Sequence, residues 1–84
     1  MNSEKELEEA YRLFEAEKYD KAFPLYKKLA ENGNAEAQYV LALCYEYGYG
    51  VADDLEKALY WYTQSDNGGY FMAKDAIDRV KEEL

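Results

Sequence analysis

Ala35-Glu36-Ala37-Gln38-Tyr39-Val40-Leu41-Ala42-Leu43-Cys44-Tyr45-Glu46-Tyr47-Gly48-Tyr49-Gly50-Val51-Ala52-Asp53-Asp54-Leu55-Glu56-Lys57-Ala58-Leu59-Tyr60-Trp61-Tyr62 reads as two helices joined by a glycine-punctuated turn. Ala37, Val40, Leu41, Cys44 and Tyr45 recur at the spacing of one helical face. Asn34 stands before them as a cap and Gly48 after them as a stop. A second stripe, Tyr39, Leu43 and Tyr47, lies on another face of the same helix. A helix apolar on two sides is covered on two sides, so this one is expected at the centre of the molecule. From about Asp53 the pattern resumes with Leu55, Ala58, Leu59 and Tyr62, and Gly68-Gly69 ends it.

Outward from this stretch the chain stays helical. Ser3 and Glu6 form a Ser-x-x-Glu capping box ahead of Leu7, Ala10, Tyr11 and Phe14, one face of a helix ending near Glu17. Asp20 is placed to cap a second helix with Ala22, Leu25, Tyr26, Leu29 and Ala30 on its stripe; Pro24 falls in or just after its first turn, and Gly33 stops it. A fifth carries Ala73, Ala76, Ile77 and Val80. No segment alternates with period two, so the expected class is all-α.

The helices repeat. Lys21-Ala22 with Tyr26 returns as Lys57-Ala58 with Tyr62, Gly33 as Gly69, and Ala37 with Leu41 as Ala73 with Ile77, each 36 residues on. Ala10 with Leu13 answers Ala42 with Tyr45 after 32, which makes the first hairpin's turn four residues shorter than Gly48–Asp53. The chain is therefore about two and a half helix–turn–helix units in one domain: hairpin 3–33, hairpin 34–69 and a terminal helix 70–84.

Residues 35–69 resemble the Sel1-like repeat, a relative of the tetratricopeptide repeat: Ala35-Glu36-Ala37-Gln38-Tyr39-Val40-Leu41, the turn Gly48-Tyr49-Gly50-Val51, an Asp, then Lys57-Ala58 and Trp61-Tyr62. Residues 10–32 look more like a tetratricopeptide hairpin with a tight turn at Glu17–Asp20. Ser65-Asp66 depart from the family's Ala pair, and Tyr70-Phe71 from its small polar start. The resemblance implies a short right-handed superhelix of helical hairpins, acting as an adaptor or scaffold in protein complexes. The first helix of each hairpin would line its concave side, with Gln38, Tyr39 and Glu46 on the middle wall.

Composition limits the chemistry. Without His there is no imidazole base, no Ser-His or Cys-His pair and no His-containing zinc site. Cys44, the single cysteine, falls on an apolar stripe and reads as a packed hydrophobe. Gly48-Tyr49-Gly50 lacks the preceding strand and third glycine of a nucleotide loop, and Asp53-Asp54 lacks the ligand spacing of an EF-hand. No enzyme activity, cofactor or metal is expected. Ten basic against 18 acidic residues give a net charge of −8, unfavourable for nucleic acid and for anionic membranes and favouring a neutral or basic protein or peptide partner. The charge is −4 over residues 1–20, zero over 21–52 and −4 over 53–84. No segment has signal-peptide or membrane-spanning character, and a cytoplasmic location is expected.

Of the ten tyrosines, Tyr26, Tyr39, Tyr45 and Tyr62 fall on core positions. Tyr47, Tyr49 and Tyr60 do not, and tyrosine is enriched at binding hot spots, so these three join Gln38, Tyr39 and Glu46 as expected partner-binding residues. Two other roles fit the sequence. The apolar run Tyr70-Phe71-Met72 suggests a homo-oligomerising structural protein, and the small acidic chain suggests an inhibitor or immunity protein that occludes a basic site.

Overall fold

The computed structural model describes residues 3–84. Five helices follow one another, α1 (Ser3–Glu15), α2 (Tyr19–Glu31), α3 (Ala35–Tyr47), α4 (Leu55–Asn67) and α5 (Ala73–Glu83), with no strand among the described residues. Each helix packs on the next in sequence, α1 on α2, α2 on α3, α3 on α4 and α4 on α5. The result is a slab of 35 × 25 × 17 Å, about two helix diameters deep in its thinner directions.

Local chemistry sets the boundaries. Asn34 caps α3 by accepting at Oδ1 from the Ala37 N–H at 2.8 Å, as its sequence position implied. Asp54 does the same for α4, accepting from the Lys57 N–H at 3.0 Å, so α4 begins one residue past Asp54 rather than near Asp53. Asp20 does not cap α2. The helix begins at Tyr19 behind Lys18, which makes no side-chain cap, and Asp20 instead places a carboxylate in the first turn, where the helix dipole favours it. Pro24 consequently lies inside α2 on an exposed position. Ser3 is already helical, and any cap preceding it lies outside the described residues.

Helices α1, α2 and α4 end alike. The N–H groups of Glu17 and Lys18 return to the carbonyls of Phe14 and Leu13, those of Gly33 and Asn34 to Ala30 and Leu29, and those of Gly69 and Tyr70 to Asp66 and Ser65. This closure needs a left-handed residue, glycine in two cases and Glu17, at φ 61°, in the first. Residues 70–72 precede α5 rather than opening it; Ala73 is its first residue.

The core runs between neighbouring helices through Ala10, Ala22, Tyr26, Leu29, Leu41, Ala42, Tyr45, Ala58, Tyr62, Ala76 and Val80. Helix α3 is central, as expected, with seven buried residues from Ala37 to Glu46. Its second stripe is not the covered one: Tyr39 and Leu43 are half-buried and Tyr47 is exposed. Helix α4, returning through the Gly48–Asp53 turn, meets α3 at Glu46, which accepts from Tyr62, and at Tyr39, whose ring packs on that of Tyr62. The Asp54 N–H closes the turn on the Tyr45 carbonyl at 2.7 Å.

Candidate partner-binding surface

The expected binding residues separate once the helices pack. Gln38 is buried, its Nε2 donating to the Ala30 carbonyl at 3.1 Å, which ties α3 to the end of α2. Glu46 is buried more deeply, with 2% of its side chain exposed. Tyr62 Oη donates to Glu46 Oε1 at 2.7 Å, while Arg79 donates from Nε to Oε2 at 3.0 Å and from Nη2 to Oε1 at 2.7 Å. One carboxylate from α3 thus joins α4 and α5. Burial alone would raise the Glu46 carboxyl, but the hydrogen bonds from Arg79 and Tyr62 and the charge of Arg79 outweigh it and hold the group below its ordinary value. The same bonds, foremost that to Glu46, raise the Arg79 guanidinium. Gln38 and Glu46 therefore spend their polar atoms inside the stack, a correction to their place on an exposed wall.

Tyr39 is half-buried against Tyr62 and Tyr70, with ring centroids 5.4 and 5.1 Å away. Tyr49 is also half-buried, stacked on Tyr19 at 4.4 Å and edge-on to Phe14 at 5.6 Å; it fastens the long turn to the start of α2. Tyr47 and Tyr60 do face solvent, 53% and 55% exposed, but on different helices, α3 and α4. The structure does not bring the six residues into one patch.

It opens a different surface. A groove is lined by Leu7, Glu8, Tyr11, Arg12 and Glu15 of α1 and by Glu36 of α3. Tyr11, which the periodicity assigns to the core stripe, is 56% exposed there, while Leu7 is half-buried and packs on the core. Helix α1 packs on α2, and that packing covers Ala10 while leaving Tyr11 on the open side. The 32-residue offset aligns Tyr11 with Leu43 on the second stripe of α3, which the sequence reads as covered and which is half-buried in the structure. Three carboxylates face one guanidinium, and Arg12 reaches Glu9 at only 3.9 Å with both side chains exposed. Tyr26, buried nearby, is raised first by burial and then by Glu36, with Tyr11 and Glu15 adding to it.

Cys44 is buried, and burial pushes its thiol up to about 12. Among the described residues no His, Cys, Asp or Glu side chains gather to hold a metal ion, and no helix is long and apolar enough to cross a membrane.

Paired helices stacked in sequence order, with a 36-residue recurrence and their polar groups spent on holding the stack, define a helical-hairpin repeat protein. The Sel1 repeat model matches residues 13–34 and 35–65, and the chain belongs to the Sel1 repeat family. It is 40% identical over 53 residues to protein sel-1 homolog 2 of Homo sapiens, a match that covers 63% of this chain and 8% of that protein. It is 44% identical over 41 residues, 49% of this chain and 8% of the relative, to DAP3-binding cell death enhancer 1 of Mus musculus. The chain thus spans a small part of the length of these relatives. No solved structure gives a significant match. Sel1 repeats are generally protein–protein interaction modules and typically non-enzymatic.

Proposed function

We propose that this chain is a non-enzymatic adaptor module that binds a protein or peptide partner on the side of the stack formed by α1 and α3. The observation that carries this reading is the groove beside Tyr11, where a large ring stands more than half exposed next to a half-buried leucine. A ring of this kind gains most when a partner removes it from water, at small cost in side-chain entropy. Tyr47 supplies a second exposed ring, on α3. The family supports the class of activity, and one relative is named for binding DAP3.

The test is affinity capture from the native lysate with the wild-type chain, a Tyr11→Ala/Tyr47→Ala variant and, as the comparison, Tyr60→Ala on α4. Loss of the same partners in the double variant alone, with helicity unchanged, is the expected result. Partners retained by a folded double variant would remove this surface.

Self-association is a second reading, favoured by Phe71, 83% exposed, beside the exposed Met72. A single monomeric species in sedimentation equilibrium at high concentration would exclude it.

A further inference from the structure

We infer that the groove between α1 and α3 takes a basic peptide segment, one that sets an apolar side chain against Tyr11 and Leu7 and lays lysines or arginines on Glu8, Glu15 and Glu36. The inference rests on the proposed binding role and specifies its partner. Glu8 and Glu15 lie two helical turns apart on α1, and Glu36 comes from the first turn of α3, so the acids flank the exposed ring from two elements.

An occupant that covers Tyr11 must also approach these acids. Desolvating a carboxylate without supplying a cation is costly, and bringing up another acid is worse. Arg12, drawn toward Glu9, is the single cation in the lining and does not balance three carboxylates. Glu36 also acts on its surroundings: after burial it is the foremost group raising Tyr26 in the core and the half-buried Tyr70. The charge of −4 over residues 1–20 adds longer-range attraction for a basic segment and repels phosphate backbones.

The probe is a randomised peptide library displayed on phage and panned on the purified chain, followed by titration of the enriched peptides. Enriched sequences should combine lysine or arginine with an aliphatic or aromatic residue. Their binding should weaken about tenfold or more with Glu8→Lys/Glu15→Lys, fall with added salt, and be lost with Tyr11→Ala. Glu36→Gln, which leaves the start of α3 nearly undisturbed, should weaken it less, and Glu83→Lys on α5 should leave it unchanged. Acidic or uncharged peptides that still depend on Tyr11 would overturn the basic partner while leaving the binding surface in place. Peptides indifferent to Tyr11 and Tyr47 would overturn both, and a library yielding no binder would overturn the peptide groove.

Discussion

Gly33 and Gly50 both hold left-handed backbone, yet their surroundings give them different tolerance. A Cβ on Gly33 would meet nothing within 4 Å, whereas on Gly50 it would stand 2.4 Å from the Tyr19 carbonyl oxygen. Gly33→Ala should therefore cost only backbone strain, about 1 kcal/mol, and Gly50→Ala about 3 kcal/mol, as the turn must also lift off α2. Thermal melts should separate them, with a fall of roughly 10–20 °C for the second. Glu17 occupies the same kind of position with the wrong residue. Glu17→Gly should raise stability by up to about 1 kcal/mol, and a lower melting temperature would count against the shared helix ending. Cys44, with its thiol pushed up to about 12 by burial, should resist thiol reagents at pH 8 and react only as fast as the fold opens. Labelling at the rate of a free thiol would contradict its place in the core.

At the scale of the helix, α5 is held by small side chains and one ion pair. It buries only Ala73, Ala76 and Val80, a stripe worth of order 4 kcal/mol before the entropy of ordering the helix is set against it. The Arg79 clamp on Glu46 supplies what the small side chains do not. By the repeat offsets, Phe14 and Tyr26 in the first hairpin stand where Glu46 and Tyr62 stand in the second, and there the contact is two rings, edge to face at 6.1 Å. One locus is solved by aromatic packing in one unit and by a charged network in the next. Because the Glu46 carboxyl is lowered in the folded chain, its contribution is fully present above its unfolded value of about 4.3 and is lost as pH falls through the lower folded value. Amide exchange in α5 should therefore accelerate in acid before that of α2 or α3. Glu46→Gln should cost about 2 kcal/mol at neutral pH and flatten the acid response of α5. A variant whose α5 still loosened in acid as the wild type does would place the sensitivity elsewhere.

For the whole molecule, charge outweighs pairing. Four ion pairs are present among the described residues, three of them between side chains at least 37% exposed, against a net charge of −8. Salt should therefore stabilise the fold by relieving repulsion, raising the melting temperature by a few degrees between low and half-molar sodium chloride. A fall would show that the exposed pairs contribute more than the repulsion removes. The helices, their order, the caps at Asn34 and the stops at Gly33, Gly48 and Gly69 were legible in the sequence because each depends on residues within a turn or two of one another. Cys44 and the rings of Tyr26, Tyr45 and Tyr62 were legible as core for the same reason, through helical spacing. The fate of a side chain at the edge of a stripe was not. Periodicity gives a direction around one helix, whereas exposure depends on where the neighbouring axes pass. Tyr11 was left open where α1 packs on α2, and Tyr39, with the same helical logic, was half covered by rings from Tyr62 and Tyr70. Glu46 read as a surface acid until α4 and α5 brought Tyr62 and Arg79 to it from 16 and 33 residues away. The sequence by itself determined a stack of helical hairpins; only packing between helices distant in the chain decided which polar groups hold it together and which face remains for a partner.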